Sequence, residues 1–286
     1  MNVTRFDESS IFGDLDHLDL WLAARGFTQH NRLRIYRENL IAMRDTDDDV
    51  NTIHLRMQEA GRMTEILASY VEGFELSDAL KCLLDRQVEI PDELLKRALD
   101  GHADGAQETS RSNQGRNAMF ELSIAAAVAR QGLKPAFSLD KPDLQFQFEG
   151  RRVLMECKRV FSEGGIDEAM SVGIRQLRKK VDVSAGDVGL VAVNISRLFN
   201  RGDGWWAIKG DVHPVRVLSN MINRIIECRE ENIRRRKEPA IRGMVFYAAS
   251  PFAVEGPGYI PVRTATVCRL DSGDELMRQL SETLKL

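Results

Sequence analysis

Cysteine is sparse in this 286-residue sequence: Cys82, Cys157, Cys228 and Cys268 stand far apart and make no CxxC pair. That spacing excludes a zinc ribbon and a disulfide framework and predicts free thiols. Long hydrophobic runs are missing too. The longest apolar stretches, such as 190–195 and 244–249, are strand-length, and Asp7, Glu8, Asp14 and Asp16 occupy the stretch where a signal peptide needs an apolar core. The expectation is a cytoplasmic protein with no membrane partner. The five histidines, His17, His30, His54, His102 and His213, fall in no HxH or HExxH spacing, and there is neither a P-loop nor a GxSxG elbow. Those absences remove zinc-protease, ATP-driven and serine-hydrolase chemistries.

What is present suffices for a sizeable core. Hydrophobic residues make up 43% of the chain, enough for one large or two smaller soluble domains. A net charge of −3 argues against a strongly basic wrapper of nucleic acid, yet it hides a split. Residues 1–100 carry 12 Lys/Arg and 20 Asp/Glu, a net −8, which leaves the rest at +5. The basic part is therefore the one able to neutralise phosphates locally.

The first hundred residues read as helical. Leu18, Leu20, Trp21 and Leu22 open an apolar run; Leu33, Tyr36, Leu40 and Met43 recur at helical spacing; Ile53, Met57, Met63, Ile66 and Leu67 suggest a further helix. Two shorter helices are expected at Leu80, Leu83 and Leu84 and after Pro91-Asp92-Glu93, where proline and acids suit a first turn. Residues 100–115 lose apolar side chains and read as a linker, which divides the chain into a helical N-terminal domain, 1–105, and a second domain, 106–286. In the second, helix and strand alternate: helix 116–131, strands 135–139, 144–148 and 152–159, helix 166–181, strand 188–195, helix 214–236 and strand 243–249.

Chemistry concentrates on one hairpin of this part. Strand periodicity of two puts Glu156 and Lys158 on the same face, and sends Cys157 the other way with Val153 and Met155. If the Glu149-Gly150-Arg151 corner folds the preceding strand back, Asp143 of Lys141-Pro142-Asp143-Leu144 arrives beside them. Two carboxylates and one cation then share a small volume, a donor set suited to magnesium with a built-in charge stabiliser. The bland alternative is a surface hairpin with a solvated Glu–Lys pair.

Pro-Asp, a hairpin and Glu-x-Lys, placed between those helices and strands, resemble the PD-(D/E)xK nuclease superfamily over residues 115–250. The resemblance implies an α/β, restriction-endonuclease-like core, a mixed β-sheet flanked by helices, here joined to the N-terminal all-helical domain. It implies a metal-dependent endonuclease cutting nucleic acid, DNA first among substrates, and leaving a 5′-phosphate. Asp143 and Glu156 would hold Mg2+, with Mn2+ as substitute, the Cys157 carbonyl would turn to the same metal, and Lys158 would activate water or offset phosphate charge. Two further positions fit the family's habits: Glu121, an acid on the preceding helix, otherwise paired with Arg116 or Arg130; and Gln176 on the following helix, otherwise a solvated flank residue. Trp205 and Trp206 beside Arg201 offer either base stacking or closure of a core edge, and the latter is the stronger expectation. Arg234, Arg235, Arg236 and Lys237 suit a helix C-terminus. The rivals are a catalytically silent nucleic-acid-binding or scaffolding module and a nuclease for RNA or DNA junctions. The acidic N-terminal region would recognise a partner, form a homodimer or restrain the nuclease.

Overall fold

A computed structural model describes residues 8–27, 31–44, 63–100, 114–138, 142–200, 206–208, 212–254 and 258–284. Its elements in chain order are α1 (Glu8–Ala24), α2 (Asn31–Arg44), α3 (Met63–Asp85), α4 (Asp92–Leu99), α5 (Gln114–Arg130), β1 (Ala136–Phe137), β2 (Leu144–Phe148), β3 (Arg151–Arg159), α6 (Gly165–Leu177), β4 (Val188–Asn194), α7 (Ser196–Phe199), β5 (Trp206–Ile208), α8 (Pro214–Glu227), α9 (Glu230–Arg234), β6 (Ile241–Val254), β7 (Gly258–Arg269) and α10 (Glu275–Thr283). The described residues build a mixed α/β structure around one seven-stranded sheet.

The sheet runs β1-β2-β3-β4-β6-β5, with β7 also paired to β6. β2 and β3 form the expected antiparallel hairpin with Leu144 opposite Met155, while β3, β4 and β6 are parallel. Both corner residues, Glu149 (φ 49°) and Gly150 (φ 71°), take the left-handed conformation that a two-residue hairpin with strand-matched twist needs.

Helices cover both faces. On one, Val153, Met155 and Cys157 of β3 join Ala192, Val245 and Tyr247 in an apolar cluster with α1 to α5 and α10. On the other, Leu154, Val191, Val193, Met244 and Phe246 pack against α6, α8 and Ile233 of α9. Leu18, Leu80 and Leu95 from before the expected boundary at residue 105 and Leu122 and Tyr247 from after it all belong to the first cluster. The stretch read as a linker falls largely within 101–113, outside the described residues, as do Ile53 and Met57.

A row of acids on α3 also meets that face. Glu72 accepts from Tyr36 Oη and, at 2.5 Å, from Arg116 Nε; Glu75 accepts from Tyr247 of β6; Asp78 pairs with Arg130 and Arg263. Buried polar groups are tolerable when partnered in this way. Burial raises Glu75 to about 7 despite the Tyr247 hydrogen bond and the Arg263 charge.

Several boundaries differ from expectation. The α3 helix runs unbroken across Ile66 to Leu83, where two helices were expected, because its buried stripe continues through Tyr70, Val71, Leu76 and Leu80. The expected helix 214–236 is broken at Cys228–Arg229, and Arg229 instead donates to the Glu163 carbonyl. The last expected strand extends to Val254 and is followed by β7 and α10, neither of which was expected.

Candidate active site

Asp143 lies directly before β2 and, continuing that register, opposite Glu156 of β3. Its Oδ2 accepts the Cys157 backbone N–H at 2.8 Å, which fixes the carboxylate at the start of the strand. Glu156 is fully buried, and Lys158 extends over it from the same face, Nζ to Oε2 2.7 Å. The ammonium also donates to the Cys157 carbonyl at 3.0 Å and stands 3.7 Å from Asp143 Oδ2. One cation is thus surrounded by oxygens of Asp143, Glu156 and Cys157. With a side chain 15% exposed, Lys158 is the member of the group that reaches solvent.

The backbone explains the convergence. β2 ends its pairing with β3 at Leu144, so Asp143 sits where the chain leaves the sheet and its side chain can turn to the β3 backbone. On the other side, β3 is flanked by buried β4, with Glu156 in register with Val191 and Lys158 with Val193. These apolar neighbours leave the two carboxylates and the carbonyl as the polar partners of the ammonium.

The Cys157 side chain enters the opposite, apolar face, as strand period two requires. Burial drives its thiol far above the ordinary range, and Asp143, Glu121 and Glu156 add to the rise while Lys158 opposes it. A thiol held protonated in this way is no nucleophile.

Glu121 is buried on α5, near enough to Cys157 for its charge to act on the thiol. One cationic neighbour is Arg97 of α4 at 3.8 Å, a residue the sequence did not suggest; Arg116 and Arg130, the partners expected of it, pair with Glu72 and Asp78. Among the described residues no three or more His, Cys, Asp and Glu side chains gather as a metal-binding group, so Glu121 is not joined to Asp143 and Glu156 in a three-carboxylate set. Gln176 is half-buried on the flank of α6, its Oε1 shielded and without a hydrogen-bond partner, and the structure does not bond it to Lys158.

Beyond Lys158 the chain carries three residues that motif reading passed over, Arg159, Phe161 and Arg197. Phe161 lies under the guanidinium of Arg197 at 4.8 Å and near that of Arg159 at 5.6 Å. Trp206 is 39% exposed and donates its indole N–H to the Phe199 carbonyl at 3.3 Å; Trp205 and Arg201 lie outside the described residues. The tripeptide of β5 is too short for a periodicity signal.

No family model matches the chain, and no curated protein matches it. Among the described residues no helix is long and apolar enough to cross a membrane.

Proposed function

We propose that the chain is a divalent-metal-dependent endonuclease of the restriction-endonuclease-like type, hydrolysing phosphodiester bonds in DNA. The observation that carries this reading is the ring of Asp143 Oδ2, Glu156 Oε2 and the Cys157 carbonyl around Lys158 Nζ. Two carboxylates and a carbonyl around a cation form an all-oxygen donor set that fits Mg2+ or Mn2+ completed by water.

In this reading Asp143, Glu156 and the Cys157 carbonyl hold the metal, which supplies Lewis-acid polarisation of the phosphate and a more acidic water. Asp143 is kept in place by the Cys157 N–H, and Glu156, fully buried, accepts from Lys158 Nζ. Lys158 donates hydrogen bonds to the developing negative charge on the phosphate oxygens, an interaction worth most in a site sheltered from water.

A panel of labelled duplex, single-stranded and branched DNA and RNA, each with Mg2+ or with EDTA, tests the proposal. Mg2+-dependent cleavage of DNA that Lys158→Ala abolishes is the expected result. Cleavage undiminished in EDTA, or none on any substrate while DNA still binds, overturns it; the second outcome describes a silent binding module.

A further inference from the structure

We infer that the outward face of β2 is the bed on which the substrate strand lies, with Gln145 and Gln147 hydrogen-bonding its sugar–phosphate backbone beside the reacting phosphate. The inference rests on the nuclease reading for the position of that phosphate and otherwise on the register and cover of the sheet.

Directly opposed residues of an antiparallel pair share a face. Gln145 opposes Leu154 and Gln147 opposes Arg152, so both stand on the face that carries Glu156 and Lys158, while Leu144, Phe146 and Phe148 enter the apolar cluster behind. Asp143, Gln145 and Gln147 therefore form one row, its members about 6.8 Å apart. Asp143 opens the row at the candidate site, with Oδ2 3.7 Å from Lys158 Nζ.

A phosphate meets the site at Lys158, the member that reaches solvent, and the flanking nucleotides spread from it toward β4 or toward β2. The β4 side is closed. Val191 and Val193, in register with Glu156 and Lys158, are fully buried, and Gly173 brings α6 so close above them that an added Cβ would stand 2.7 Å from Val191 Cγ1. One flank of α6 is tied on the side of β6, by Asp167 to Arg236 at 3.1 Å and by the following Arg178 to Glu238 at 2.9 Å. The helical period puts Gln176 on the other flank, toward β2. The β2 side itself is open, with Gln145 half-buried and Gln147 exposed.

Among the described residues neither amide of the row has a hydrogen-bond or ionic partner, and each carries two N–H donors and a carbonyl acceptor. The cation beside them is already engaged, since Arg152 donates from Nε and Nη2 to Asp187 at 3.1 and 2.5 Å. The row is thus neutral. It meets phosphate and sugar oxygens through hydrogen bonds and displaces no counterions, which distinguishes it from a basic groove.

Fluorescence anisotropy with a short fluorescein-labelled DNA duplex in Ca2+, which takes the same oxygen ligands in a looser shell than Mg2+, reads binding apart from cutting. Gln145→Ala and Gln147→Ala should each weaken binding about threefold, the effect of one neutral hydrogen bond, and leave the slope of log K against log salt as it is in the wild type. Gln147→Lys should steepen that slope by about 0.9, the value for one phosphate. Gln131→Lys controls for net charge, because Gln131 is exposed just after α5, which packs on the opposite face of the sheet; its slope should match the wild type. Circular dichroism keeps misfolded variants out of the comparison. A slope for Gln147→Lys no steeper than for Gln131→Lys, wild-type affinity in both Ala variants, or no duplex binding by the wild type overturns the bed. Cleavage in Mg2+ is scored separately. Binding that depends on Gln145 and Gln147 with no cleavage leaves the bed standing and removes the nuclease, whereas Lys158-dependent cleavage with binding indifferent to both glutamines does the reverse.

Discussion

Tyr247 on β6 donates its phenol to Glu75 on α3, 172 residues away in sequence. The bond ties a helix of the N-terminal region to the central parallel strands, and its acceptor is an acid that burial has brought to about 7. Arg263, Glu72 and Arg159 are the other charges acting on it.

The sign of the pH effect follows. A carboxyl whose folded-state value lies above its unfolded value of 4.5 favours the folded state most when protonated. Its contribution is fully present below about pH 4.5 and is lost as pH rises through about 7. Glu75→Gln should therefore flatten the dependence of unfolding free energy on pH across that window, by on the order of 2–3 kcal/mol. Urea melts at pH 5 and pH 8 measure it. An equal pH dependence in the variant and the wild type would show that Glu75 titrates normally.

Gly173 on α6 faces Val191 on β4, and a Cβ there would lie 2.7 Å from Val191 Cγ1. Alanine gains about 1 kcal/mol of helix propensity over glycine, but forcing a methyl into this contact costs about 1–3 kcal/mol. Gly173→Ala should thus be destabilising on balance. Adding Val191→Ala removes the clashing methyls, so the double variant should be more stable than the sum of the two single changes. Strict additivity in denaturant melts would place the cost elsewhere.

The core αβββαβ run was legible because its signals are local. The alternation in 144–148 and 152–159, the Glu149-Gly150 corner and the apolar run of β4 each mark one element, and the facing of Glu156, Lys158 and Cys157 follows from period two alone. β7 was not legible because Pro251 and Pro261, residues that normally argue against a strand interior, sit opposite each other in the β6–β7 ladder, where both lack an N–H at the same rung. The position of Glu121 relative to Arg97, and the stacking of Arg197 on Phe161, depend on elements distant in sequence meeting in space. No spacing rule encodes them.

The shared apolar cluster bears on the expected division at residue 105. Leu80, Leu83 and Leu95 pack in one cluster with Leu122, Ala125 and Val128 of α5 and with the sheet. A fragment 106–286 made alone would expose that face, so it should bind a hydrophobic dye and unfold without a sharp transition, and co-expressed 1–105 should restore cooperativity. A fragment that melts cooperatively by itself would establish two independent domains.

Asp143 has two roles that substitution can separate. Alanine at 143 removes the acceptor of the buried Cys157 N–H and should cost about 1–3 kcal/mol of stability as well as function. Asparagine keeps an acceptor oxygen and removes the charge. Asp143→Asn should therefore melt close to the wild type while losing Mn2+ binding in calorimetry; retained Mn2+ affinity would remove Asp143 from the metal ligands.

The position of Lys158 Nζ among three oxygens makes a sharper prediction, because the ammonium and a dication compete for the same donors. Lys158→Ala should bind Mn2+ at least as tightly as the wild type, since a competing charge is gone, yet its DNA cleavage should fall by about 10²- to 10³-fold for want of a donor to the phosphate. Cys157→Ala is the control for facing. Its side chain lies in the apolar cluster on the other face, so it should lose about 1 kcal/mol of stability and keep its cleavage rate. If Cys157→Ala abolishes cleavage in a folded protein while Lys158→Ala cuts normally, the reactive face of β3 is the opposite one, and the site built on Asp143, Glu156 and Lys158 is withdrawn.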